Sequence, residues 1–124
     1  MNQSDILRRH QAVCDELYQC VLDENRHLRQ HMTVPDQAQV SRKRALLTRL
    51  DEALDAMREI PTETARDAKV AAQIENGRAR ILQILQLERE NEELLQRCST
   101  PGVHKKTSAA SAAGMLQKIY ARNS

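Results

Sequence analysis

The chain has no tryptophan, no phenylalanine and only two tyrosines in 124 residues. So few rings leave little for a catalytic pocket and deny a nucleic-acid module its stacking platform. Three glycines and three prolines are few for this length. All three prolines fall between periodic stretches, as in a punctuated helical bundle. Cys14, Cys20 and Cys98 are scattered, and read as small buried hydrophobes of a reducing compartment rather than bridges. No stretch approaches the roughly 20 apolar residues of a membrane span, and the opening MNQSDILRRH lacks a basic leader followed by an apolar core. The expected location is cytoplasmic.

What is present is aliphatic and periodic. Val40, Lys43, Leu47, Leu50, Leu54 and Met57 alternate three and four residues apart, the spacing of a helix stripe. A mean hydropathy of −0.65 and 29% charged residues confine burial to narrow strips, so the core is expected to be long and thin. The spacing predicts helices over about 4–32, 36–60 and 63–98, forming an antiparallel three-helix bundle over 1–98. Ser4 is the expected first cap, followed by Asp5 at the positive end of the dipole. Pro35 and Asp36 open the second helix, and Pro61-Thr62 separates it from the third, which would run about 50 Å unbroken. The first helix carries two lanes, Ile6, His10, Val13, Leu17, Val21, Glu24 and Leu28 beside Leu7, Cys14, Tyr18, Asn25 and Met32. So broad a stripe suits two neighbours.

Three interruptions stand out. Glu88 and Asn91 fall where the third stripe, built on Val70, Ile74, Ile81, Leu82, Ile84, Leu85, Leu94, Leu95 and Cys98, should continue. The expectation is a solvated overhang beyond the shorter helices; the alternative is a polar specificity position. Lys43 sits on the second stripe within Arg42-Lys43-Arg44, where its stem can cover apolar surface and its ammonium can meet water or a neighbouring acid. Gly77 lies on the third stripe at about 1 kcal/mol relative to alanine, either for close helix approach or a bend, or because the site tolerates it.

Residues 99–124 form a second unit, read as a flexible linker followed by a short amphipathic helix with Met115, Leu116, Ile119 and Tyr120 on one face. So short a helix needs a surface to fold on, its own bundle or a partner. Lys105, Lys106, Lys118 and Arg122 make this unit basic without an acid, but they lack the density of a nucleic-acid site. Nucleic acid is not an expected partner.

No constellation points to catalysis, a cofactor or a metal. Glu24-Asn25-Arg26-His27 has the Glu-x-x-His spacing of carboxylate-bridged bundles, and His27 and His31 form an i,i+4 pair, but a second Glu-x-x-His is missing. These residues are expected to be solvated where the stripe weakens. His10 and Cys14 are one turn apart, with Cys98 near them if the third helix runs back along the first, yet clustered zinc-ligand pairs are lacking. A packed histidine is the expectation, and no orienting third group accompanies the Cys-His pair. Neither a phosphate loop nor a nucleophile elbow occurs.

The stretch Leu17-Tyr18-Gln19-Cys20-Val21-Leu22-Asp23-Glu24-Asn25-Arg26-His27-Leu28, a proline-marked turn, and Arg42-Lys43-Arg44-Ala45-Leu46-Leu47-Thr48-Arg49-Leu50 together resemble the flagellar export chaperones of FlgN type. Glu24 and Leu28 match the acid-leucine pair that ends that family's first helix. Lys43, Leu46 or Leu47, and Leu50 match the pattern opening its second. Asn76-Gly77 and Tyr120 are similar to an Asn-Gly and a late tyrosine of the family, although Asn-Gly comes early and the tail is basic and alanine-rich. The resemblance implies a cytoplasmic chaperone that keeps hook-filament junction proteins soluble and delivers them to the export apparatus. Stripe continuity nominates Ile81, Leu85 and Leu95 as a partner groove, with Met115, Leu116, Ile119 and Tyr120 as its flap. The competing expectation is a homo-oligomeric coiled-coil adaptor associating through Leu47, Leu50 and Leu54.

Overall fold

The computed structural model describes residues 2–98 and Ile119. Its elements are α1 (Gln3–His31), α2 (Gln37–Met57), the single turn α3 (Thr62–Ala65) and α4 (Ala68–Cys98). The described residues contain no strand, and the fold is an all-α bundle of three long helices.

Capping side chains explain where these helices begin. Asn2, rather than Ser4, caps α1, its side chain accepting from the Asp5 N–H at 2.9 Å. Asp36 does the same for α2, accepting from the Gln39 N–H at 2.9 Å, which places Pro35 just outside the helix. The expected 63–98 helix is divided. Asp67 turns its carboxylate onto the N–H groups of Lys69 and Val70, at 3.1 and 3.3 Å, and starts α4 afresh after the α3 turn. α2 ends at Met57, and Ile60 tucks into the protein from the turn that follows. At the end of α1, Met32 takes the left-handed conformation with φ 52°, its N–H donating to the Leu28 carbonyl.

α1 is the central helix. The Thr33–Asp36 turn folds α2 back antiparallel to it, whereas α4 runs parallel to α1, as pairs that rise together in number show: Gln3 with Thr64, Asp15 with Arg80, and Asn25 with Asn91. The third long helix therefore does not run back along the first, and Cys98 ends beside Leu28, Leu94 and Leu95, far from His10 and Cys14. α1 packs closely against both α2 and α4, with Cα atoms within 8 Å of each. α2 and α4, by contrast, have no Cα pair within 8 Å and meet only through side chains.

The main core joins Val13, Cys14, Leu17, Cys20 and Val21 of α1 to Leu46, Leu47, Leu50, Ala53 and Leu54 of α2 and Ile81, Ile84 and Leu85 of α4. Ile119, helical and 7% exposed, belongs to the same cluster. Leu28, Leu94 and Leu95 form a separate small cluster contributed by α1 and α4. Arg80 lies over the Tyr18 ring at 4.4 Å, a cation–π contact at the edge of the α1–α4 face.

Near the start of α4, Gly77 meets the buried His10 ring. A Cβ there would stand 2.7 Å from its Nδ1 and closer still to its Cε1, so glycine is what permits this approach. Gly77→Ala should cost about 1 to 3 kcal/mol through overpacking, despite alanine's helix preference of about 1 kcal/mol. In a His10→Ala background the same change should stabilise. Urea unfolding of the four members of the cycle checks that reversal of sign.

Candidate functional site

The polar interruptions of the three stripes converge on one point. Glu24 of α1, Lys43 of α2 and Glu88 of α4 are each 2–3% exposed. The Lys43 Nζ donates to Glu24 Oε1 at 2.7 Å and to Glu88 Oε2 and Oε1 at 3.0 and 3.1 Å. All three contacts are to carboxylate oxygens, two of them on Glu88. Asn91, fully buried, donates to the Val21 carbonyl at 3.1 Å and to Glu88 at 3.4 Å, and accepts from Asn25 at 2.8 Å. Arg29 donates to Asn25 at 3.1 Å and pairs with Glu90, carrying the network out to the surface.

This knot overturns two expectations. Glu88 and Asn91 are not a solvated overhang; they are the polar position within the assembly, because Lys43 and Asn25 reach them from the other helices. Glu24 and Asn25 are likewise buried rather than solvated. The Lys43 ammonium meets two acids, the second of the alternatives its position on the stripe allowed.

Two carboxylates share one ammonium, so the fully ionised knot carries one uncompensated negative charge away from water. Burial pushes the Glu88 carboxyl up to about 7, against the pull of the Lys43 ammonium and with the repulsion of Glu24 adding to it. Burial alone would lower Lys43, but Glu88 and Glu24 outweigh it and hold the ammonium above its usual value. Outside the knot, burial also raises Glu92.

The His10–Cys14 pair is packed. Burial lowers His10, and the Cys14 thiol, 3.7 Å from His10 Nε2, is pushed to about 12 by burial and Asp15, with Arg80 opposing. A thiol held protonated is a poor nucleophile. The His27 and His31 rings lie tilted, 5.0 Å apart, and His27 Nε2 is 3.0 Å from the Thr33 hydroxyl. Among the described residues no group of three or more His, Cys, Asp or Glu is arranged to hold a metal ion.

The nominated groove residues do not form one open groove. Ile81 and Leu85 share the main core with Ile119, whereas Leu95 belongs to the small cluster at the far end of α4, and all four are buried. The α4 stripe faces inward, where α4 packs closely against α1. Met115, Leu116 and Tyr120 lie outside the described residues, as does the expected linker. No helix among the described residues is long and apolar enough to cross a membrane. Compared with protein-family models, with curated proteins and with solved structures, the chain has no match.

Lys43→Met leaves two buried carboxylates facing each other and should cost about 3 to 5 kcal/mol in urea unfolding. Adding Glu24→Leu and Glu88→Leu should recover most of that loss. The Glu88 carboxyl titrates near 4.5 when unfolded and about 7 when folded, so the folded state holds the extra proton in between. Its contribution to stability is full below pH 4.5 and is lost as pH rises through 7. The stability difference between the wild type and Glu88→Gln should therefore change across that window and level off above it.

Proposed function

We propose that this protein is a cytoplasmic protein-binding chaperone, holding hook-filament junction proteins of the bacterial flagellum soluble and delivering them for export. The observation that carries this reading is the seam between α2 and α4. Its walls are aliphatic, Leu46, Leu47 and Leu50 on one side and Ile81, Ile84 and Leu85 on the other, yet the two helix backbones stay apart. An amphipathic helix of a client, with apolar anchors three and four residues apart, is the ligand such a seam suits. Shielding those anchors would keep a client from assembling early.

The residues that resemble FlgN-type chaperones divide the labour. Glu24 and Lys43 clasp the bundle, Leu28 closes its narrow end, and Leu46, Leu47 and Leu50 line the α2 side of the main core. The self-associating alternative used Leu47, Leu50 and Leu54 as its contact stripe. Those side chains are 1%, 0% and 8% exposed within the single chain, so either kind of partner would have to open the core to reach them.

Titration calorimetry of the full chain against C-terminal segments of junction proteins tests this directly. Saturable one-to-one binding, weakened by Ile84→Asp in a chain that keeps its helical circular dichroism, is the expected outcome. Absence of heat with every segment would contradict it.

A further inference from the structure

We propose that the buried knot is a proton-operated latch on the end of α4: residues 88–98 lie docked on α1 while the knot holds a proton, and lift from α1 as that proton leaves.

The charges facing Glu88 come from all three long helices. α1 supplies Glu24, and α2 supplies Lys43, the ammonium that both acids share. Arg42 of α2 is engaged with Asp23, and Arg29 of α1 with Glu90, both at the surface. The Cys20 thiol of α1 is held protonated by burial. On α4 itself Glu92 and Arg89 oppose each other, and Asn91, neutral, donates to Glu88 at 3.4 Å. Two acids on one ammonium, each 2–3% exposed, leave one negative charge without a counter-charge. A proton on Glu88 cancels that charge in place, whereas lifting Glu88 into water solvates it.

Lifting therefore releases a proton. Docked, the Glu88 carboxyl titrates at about 7, against 4.5 in water. Raising the pH between those values favours the lifted form, by up to about tenfold per pH unit, and has no further effect above them.

The end of α4 is the part able to respond. Before the knot, α4 sinks Ile81, Ile84 and Leu85 into the core shared by the three long helices. After it, the buried apolar side chains among the described residues are Leu94 and Leu95, gathered with Leu28 of α1 and with no residue of α2. The polar layer of Glu88 and Asn91 separates the two clusters, so the end can lift while the larger core stays closed. Lifting uncovers Leu28, Leu94 and Leu95 together, an apolar face the docked chain keeps buried.

Amide hydrogen exchange of the full-length chain at about pH 5.5 and about pH 7.5, each rate divided by its intrinsic value at that pH, reads the opening. At both pH values residues 91–95 should be less protected than residues 13–17, because lifting costs less than global unfolding. Protection of residues 91–95 should fall at least about fivefold from the lower pH to the higher. In Glu88→Gln, which keeps the shape without the charge, that fall should vanish. Glu24→Gln leaves Lys43 and Glu88 as a balanced pair and should flatten it too, which decides the matter if Glu88→Gln fails to fold. Equal protection of the two segments would mean that the end of α4 leaves only with the whole bundle, and overturns the latch. No fall in the wild type, or a fall that persists in the variants, overturns the proton as its trigger.

Discussion

A single ammonium, Lys43 Nζ, is the point on which the register of the bundle depends. It lies within hydrogen-bonding distance of acids on both neighbouring long helices, at 2.7 Å to α1 and 3.0 Å to α4. Aliphatic stripes attract one another without fixing their axial offset, since sliding by a turn replaces one leucine with another. A buried charge does fix it, because any slip strands an ion away from water at a cost of several kcal/mol. The knot thus sets α2 and α4 against α1, and Asn91, bonded to the Val21 carbonyl and to Asn25, locks the α1–α4 level a second time.

The knot also divides the molecule. On one side lies the broad core shared by three helices and Ile119; on the other lies the small Leu28, Leu94 and Leu95 cluster of α1 and α4. Because Lys43 and Glu88 span α2 and α4, they bridge the two helices whose backbones do not meet. The ionic clasp thus fastens the bundle at that level, and aliphatic side chains of the shared core continue beyond it.

The helices were legible in the sequence because the three-and-four spacing of Leu47, Leu50 and Leu54 admits no other local structure, and the prolines mark the turns. The break at Asp67 was not, since its carboxylate caps α4 from within a stretch with no proline or glycine to announce it. Each member of the knot was visible as a polar residue on an apolar lane, Glu24, Lys43, Glu88 and Asn91. Their convergence was hidden, because stripes report which residues face inward and not which levels of different helices coincide. One signal was available: a lysine in one stripe and glutamates in the other two are costly to bury unless they meet. The parallel direction of α4 follows from the two turns between three long helices. Gly77 illustrates the same limit, for periodicity placed it on the inner face but gave no hint that His10 would lie against it.

The most direct test of this account is nitrogen-15 NMR of the Lys43 ammonium in the full-length protein at neutral pH. A proton signal protected from rapid exchange with water, with hydrogen-bond couplings to carboxylates and proximity to residues of both α1 and α4, is the result the account predicts. A Lys43 ammonium that exchanges as freely as an exposed lysine, or that is near only one of the two helices, would contradict the claim that this residue sets the bundle.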